Sequence, residues 1–145
     1  MTPPQDEKPH TGNFAELSET ECEELLTHHA AGRVGFMAGE GPQILPVTYQ
    51  YRAGRVIFRT SPNGPLAGLV RRTSVAFEID AIDEQNKSGW SVLVLGFAEA
   101  MTHDQLLASA WETGPVPWAD GARNLFIEIE PRKISGRAVT SATRG

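Results

Sequence analysis

The sequence predicts a mainly β chain, folded as a closed or nearly closed antiparallel barrel with short helices at its joints. Three observations predict it. Apolar residues recur at every second position, as in Val34 and Phe36 or Leu125, Ile127 and Ile129, which is the spacing of a half-buried strand. Turn residues such as Gly39-Glu40-Gly41-Pro42 and Ala53-Gly54 divide these segments at short intervals, so neighbours fold into hairpins. Six or seven strands joined this way expose edges unless the sheet closes on itself.

Met1 to Asn13 is polar, has no periodicity and carries Pro3, Pro4 and Pro9, which predicts a mobile tail before a single domain over residues 14–145. Phe14 and Leu17 lead into Ser18-Glu19-Thr20-Glu21, a capping box in which hydroxyl and carboxylate each take a first-turn amide. The helix is expected to run to about Ala31, bury Leu25 and Leu26, and stop at Gly32. Arg33 to Met37 alternates as a strand. Gln43 to Tyr51 is a second, and Pro46 inside it demands an edge or an irregularity. Arg55 to Thr60 is a third. Ser61-Pro62-Asn63-Gly64-Pro65 breaks the pattern, and Leu66, Leu69 and Val70 place a short helix over 65–72. Thr73 to Ile79 is a strand, Asp80 to Ser88 a polar connection, and Gly89 to Met101 the longest strand, with Val92, Val94 and Phe97 marking one face. Thr102 caps a helix from about His103 to Trp111, and an irregular loop follows from Glu112 to Arg123. Asn124 to Glu130 is a strand; Pro131 opens a turn before a last short strand ending at Val139.

A chain of 145 residues fits one domain, and 40% apolar with 21% charged residues is ordinary globular composition. A net charge of −5 argues against nucleic acid as partner, since phosphate backbones want a basic face. The single cysteine, Cys22, excludes an intrachain disulfide and a thiolate zinc cluster, and reads as an inert helix thiol. No run approaches the roughly 18–20 apolar residues of a membrane span, and the N-terminus has no apolar stretch. The expectation is a cytoplasmic protein without membrane or metal.

The familiar catalytic signatures are missing: no glycine-rich phosphate loop and no Gly-x-Ser-x-Gly elbow. His28 and His29 are adjacent on the first helix and diverge by about 100°, while His10 and His103 fall in the tail and on a surface helix. Asp80, Asp83 and Glu84 read as a solvated turn. What remains is Arg59-Thr60-Ser61-x-Asn63-Gly64, which follows a strand and opens a helix. Free amides, a guanidinium and two hydroxyls there suit an anion; the same pattern also fits a plain helix cap beside a surface arginine. At Ser88-Gly89-Trp90-Ser91, a serine donor and an indole suited to a flat ring begin the long strand. On spacing alone, a strand-start serine and a core tryptophan account for it better.

Five segments in order, Gly32-Arg33-Val34-Gly35-Phe36, Leu45-Pro46-Val47-Thr48-Tyr49, Val56 to Ser61, Val75 to Asp80 and Gly89 to Gly96, resemble the pyridoxamine 5′-phosphate oxidase-like flavoproteins. The likeness covers roughly residues 17–139 and is closest to the actinobacterial-type branch that includes nitroimidazole-resistance-like proteins. It implies a six-stranded antiparallel split barrel of the FMN-binding type. It also implies a homodimer with flavin mononucleotide (FMN) at the subunit interface. Carried onto this chain, Pro46, Val47 and Thr48 line the flavin ring, Arg59, Thr60, Ser61 and Asn63 reach its phosphate and edge, and Trp90 and Ser91 join from the long strand. Trp118 and Arg123 fall near the cofactor mouth. Relatives usually carry a basic residue where this chain has Pro65. Tight FMN binding therefore does not follow automatically, and a deazaflavin, haem or an empty pocket stay open. The implied activity is reduction of a small electrophile by a nicotinamide-derived hydride. The alternatives are a non-catalytic flavin, deazaflavin or haem storage protein and a pyridoxamine 5′-phosphate oxidase-type amine oxidase. No side chain is singled out as a catalytic acid or base.

Overall fold

The computed structural model describes residues 13–102 and 125–140. The expected tail up to Gly12, and the helix and loop expected from His103 to Arg123, lie outside them. In chain order the elements are β1 (Asn13–Leu17), α1 (Glu19–His28), β2 (Ala31–Ala38), β3 (Gly41–Arg52), β4 (Arg55–Thr60), a 3-10 helix (Pro65–Val70), β5 (Thr73–Asp83), β6 (Ser88–Ala100) and β7 (Leu125–Thr140). Strands β7, β4, β3, β2, β5 and β6 pair in that order, and β6 returns to β7, so six antiparallel strands close a barrel. Closure leaves no free edge around this ring except where a ladder stops short. The seventh strand, β1, lies outside the ring on the second half of β7, with Leu17 opposite Gly136. It escapes the sequence reading because its five residues carry no buried face.

Alternation fills the interior. Phe58, Phe77, Ile79, Val92, Val94, Ile127 and Ile129 point inward and are fully buried. Helix α1 closes one end with Cys22 and Leu26 buried, while Leu25 is only half covered. The capping box forms: Ser18 Oγ accepts from the Glu21 amide at 3.1 Å, and Glu21 Oε1 accepts from the Ser18 amide at 2.8 Å. The helix ends at His28, short of the expected Ala31, because the sheet takes over the chain. The Tyr49 amide donates to the Ala30 carbonyl at 2.9 Å, and Ala31 pairs with Thr48. The Tyr49 hydroxyl donates to the Leu26 carbonyl at 2.6 Å, satisfying one of the last-turn carbonyls that a helix leaves unpaired. Gly32 is thus a strand residue and no helix stop. A Cβ there would stand 2.5 Å from Cζ of Phe77.

Three further expectations change. The helix expected over 65–72 is a six-residue 3-10 helix starting at Pro65. The polar connection shrinks to residues 84–87, since β5 continues to Asp83 and β6 begins at Ser88. The longest strand is β7, with 16 residues against 13 in β6, because Pro131 makes no turn. Leu95 pairs with Lys133 and Gly96 with Pro131, so Arg132 is the extra residue of a bulge, a place where a strand tolerates proline. The hairpin at Ala53-Gly54 is as expected: φ values of 53° and 75° give the tight turn that matches strand twist.

Candidate functional site

The β3–β4 ladder runs from Arg52/Arg55 to Tyr49/Phe58 and stops there. Beyond it, Pro46 to Thr48 remain paired with β2, while Arg59 and Thr60 remain paired with Phe126 and Leu125 of β7. The two segments part and frame a split in the barrel wall. Pro46 is compatible with this local edge. The Tyr49–Ala30 pair is hydrogen-bonded, so alternation turns the Pro46 nitrogen away from β2 and toward the opening.

Tyr49 and Phe58 fill the interior, so Pro46, Thr48 and Arg59 face outward while Val47 and Thr60 face inward. Thr60 is only 4% exposed. The Arg59 guanidinium carbon lies 5.0 Å from the centroid of the Phe126 ring, a cation–π contact that holds it over β7. After Thr60 the chain turns on Ser61. The Ser61 carbonyl accepts from the Gly64 amide at 3.1 Å, and Ser61 Oγ accepts from the Asn63 amide at 3.2 Å. These bonds correct the expected helix N-terminal anion site. Two of its amides are committed to Ser61, Pro65 has none, and a six-residue 3-10 helix follows. The turn offers a ligand side chains instead: the Arg59 guanidinium, the Ser61 hydroxyl proton and the Asn63 carboxamide.

Trp90 and Ser91 stand elsewhere. Val92 and Val94 point inward, so Trp90 does too; it plugs the barrel end, with its ring centroid 4.9 Å from that of His29 at a tilt of 54°. Ser91 faces outward between Asp80 and Arg137. Counting strands from Thr48 through β2 and β5 to β6 puts Ser91 about 14 Å away around the wall, at roughly 4.8 Å per strand. Within one chain, then, Pro46, Thr48, Arg59 and Ser61 gather at the split; Val47 and Thr60 back them from the interior. Trp90 and Ser91 belong to another part of the barrel, and Trp118 and Arg123 fall outside the described residues.

One residue beside the split was not singled out from the sequence. Arg33 sits directly opposite Pro46 and donates to Glu78 at 2.9 Å and Asp80 at 3.2 Å. Burial first, and then the Asp80 carboxyl, raise the Glu78 carboxyl above its ordinary range, against the pull of Arg33. Only the strand register, which local spacing does not encode, brings these three together.

Among the described residues no group of three or more His, Cys, Asp or Glu side chains could hold a metal ion, and no helix is long and apolar enough to cross a membrane. Burial pushes the Cys22 thiol upward, and Glu21, Glu19 and Glu23 add to the shift, so it stays protonated and unreactive.

A closed six-stranded antiparallel barrel, split beside an outward Arg and Ser and capped by one helix, defines the class of flavoprotein-type split barrels. The chain belongs to the pyridoxamine 5′-phosphate oxidase family, whose pattern it matches over residues 18–138. It is 31% identical over 134 residues to an uncharacterized Mycobacterium tuberculosis protein, Rv0080, covering 89% of this chain and 88% of that one. Among solved structures it resembles a Corynebacterium glutamicum protein named for pyridoxamine 5′-phosphate oxidase, at 27% identity and a TM-score of 0.75, over 90% of this chain and 96% of that one. It also resembles the FAD-binding protein of Mycobacterium smegmatis, at 28% identity and a TM-score of 0.72, over 87% and 98% of the two chains.

Proposed function

We propose that this chain binds a flavin at the β3–β4 split. We propose further that it is an FMN-dependent oxidoreductase, passing a nicotinamide-derived hydride to a small flat electrophile. The observation that carries the reading is the split itself. Outward Pro46 and Thr48 offer a flat ring an apolar edge and a hydroxyl, and Arg59, Ser61 and Asn63 across the opening offer donors to an anionic tail. This donor set fits a flavin with a phosphorylated side chain. Family membership and the FAD-binding relative support the cofactor class. A bound flavin supplies the two-electron carrier, and the protein supplies position and hydrogen bonds.

The working unit we propose is a homodimer with the cofactor between subunits. Its support is an apolar row on the outer wall, Ile44, Gly35, Ala76 and Leu95, beside Met37; Ile44 is 70% and Met37 68% exposed. Pro65 and the committed amides of Asn63 and Gly64 favour a loosely held, exchangeable flavin. Bound flavin that reduced nicotinamide nucleotides fail to reduce would mark binding without turnover.

Titration of the purified chain with FMN, followed by flavin fluorescence, is the test. Saturable binding is expected, weakened about tenfold or more by Arg59→Ala through loss of a charge-assisted hydrogen bond and tightened by Pro65→Lys. Absence of saturable binding to both FMN and FAD would overturn the reading.

A further inference from the structure

The barrel has a second short seam. β2 and β5 share three paired positions, Arg33/Glu78 to Gly35/Ala76, and β3 and β4 share four, Tyr49/Phe58 to Arg52/Arg55. Between themselves β2 and β3 share eight. The β2–β3 hairpin is therefore a stiff unit that the rest of the barrel holds by one short ladder on each side. Pro46, Val47 and Thr48, beside the split, lie between these two attachments.

The inner and outer surfaces of the β2–β5 seam differ. Inside, Val34, Tyr49 and Phe77 are buried, and the Tyr49 ring meets Phe77 edge-on at 4.9 Å. Apolar burial is non-directional, so this packing resists separation but permits a small tilt. Outside, the ladder ends at Arg33/Glu78 and side chains take over. Arg33 Nη1 donates to Glu78 Oε1 at 2.9 Å and to Asp80 Oδ2 at 3.2 Å. Asp80 lies beyond the last paired position of β5, so one guanidinium clasps the seam where its backbone ladder has stopped. Pro46 stands directly opposite Arg33 on the other side of β2.

Two carboxylates share this one cation. Across to β6, Glu78 faces Leu93 and Asp80 faces Ser91; the next charged group in that row is Arg137, beyond Ser91 on β7. Across β2, the residue beyond Arg33 is Pro46, which carries no charge. Burial first, and then Asp80, raise the Glu78 carboxyl against the pull of Arg33. A tilt that opens the outer seam to water relieves that burial. Ionisation of Glu78 therefore favours the opened seam, and its protonation the closed one.

We propose that Arg33 is a positioning residue for the candidate flavin site: by clasping Glu78 and Asp80 it fixes the tilt of the β2–β3 hairpin, and so the placing of Pro46–Thr48 against Arg59–Asn63 across the split. The proposal rests on the flavin reading of that split. With the clasp closed, the two halves of the site are already in place; with it loosened, a ligand must order them as it binds, and binds less tightly. The clasp tightens as pH falls and Glu78 takes up its proton, and slackens as pH rises.

The test joins FMN titration, followed by flavin fluorescence, to amide hydrogen exchange of the full chain. Wild type, Arg33→Gln, Arg33→Lys and Glu78→Gln are compared. Arg33→Gln should weaken FMN binding about three- to fivefold, the scale of a partly exposed ion pair. It should also speed exchange at residues 33–35 and 76–78, while residues 92–98 exchange as in wild type. Arg33→Lys should recover most of the affinity, because a single nitrogen makes both contacts and an ammonium can replace it. The ratio of wild-type to Glu78→Gln affinity should fall between near pH 5 and near pH 8, a comparison in which the titration of the FMN phosphate cancels. Unaltered FMN affinity in Arg33→Gln, a lysine variant no better than the glutamine one, or exchange accelerated equally along β6 overturns the role of Arg33 and leaves the flavin reading intact. A ratio constant with pH overturns the part given to Glu78. No saturable FMN binding to wild type overturns the flavin reading and this role with it.

Discussion

The two sides of this barrel are laced very differently. β5 and β6 share eleven paired positions and β6 and β7 twelve, whereas β3 and β4 share four. The long ladders enclose Phe77, Ile79, Val92 and Val94, all buried, and form a rigid wall. On the other side the ladder ends at Tyr49/Phe58, and the outward residues just past it carry the donors of the candidate flavin site. The difference teaches a division of labour: the continuous wall holds the barrel closed, so the split can leave strand edges and side chains to a ligand.

Breaking the continuous wall should cost the most. Phe77→Ala removes a fully buried ring that packs edge-on against Tyr49 at 4.9 Å. A loss of about 3–5 kcal/mol is expected in urea unfolding, a large share of the roughly 5–15 kcal/mol that holds a domain together. Tyr49→Phe comes next. It strips the buried hydroxyl that donates to Leu26 and leaves that carbonyl unpaired, for about 1–2 kcal/mol. Faster amide exchange across Cys22 to Leu26 should accompany it, since this bond fastens α1 to the barrel end; exchange as slow as in wild type would show that packing alone holds the helix.

Glu78 gives a smaller effect with a defined pH dependence. Burial and the neighbouring Asp80 raise its carboxyl in the folded state from an ordinary value of 4.5. A carboxyl raised on folding contributes stability that is present below the unfolded value and lost as pH rises through the folded one. Glu78→Gln should therefore raise Tm modestly near pH 7, and the gain should vanish near pH 3. A gain equal at both pH values would mean that the charge has no part in it. At the bottom of the scale, Arg59→Ala should change stability by less than about 0.5 kcal/mol, as a partly exposed strand-end residue outside the core, while weakening FMN binding. That contrast separates ligand contacts from scaffold.

Short-range chemistry was legible in the sequence, and long-range pairing was not. The capping box at Ser18–Glu21 and the turn at Ala53-Gly54 are written in neighbouring residues, and both form as expected. The barrel follows from alternation, because closure is the available answer to many short antiparallel strands. Register is different. That Pro131 sits opposite Gly96 in a bulge, that β1 joins β7, and that Arg33 meets Asp80 all depend on contacts far apart in sequence. The site divides the same way. Pro46, Thr48 and Arg59 were legible as motif positions, but the hydrogen bonds that commit the Asn63 and Gly64 amides were not. Nor was the opposite facing of Trp90 and Ser91, which places them on two sides of one wall.

The central claim is that the flavin lies where the β3–β4 ladder ends. Amide chemical shifts recorded as FMN is titrated into the labelled chain test it most directly. The expected result is saturable shifts centred on Val47, Thr48 and Arg59 to Asn63, much weaker in Arg59→Ala at the same FMN concentration. No saturable shifts at these positions, or shifts confined to Lys87–Ser91 and Arg137, would contradict it.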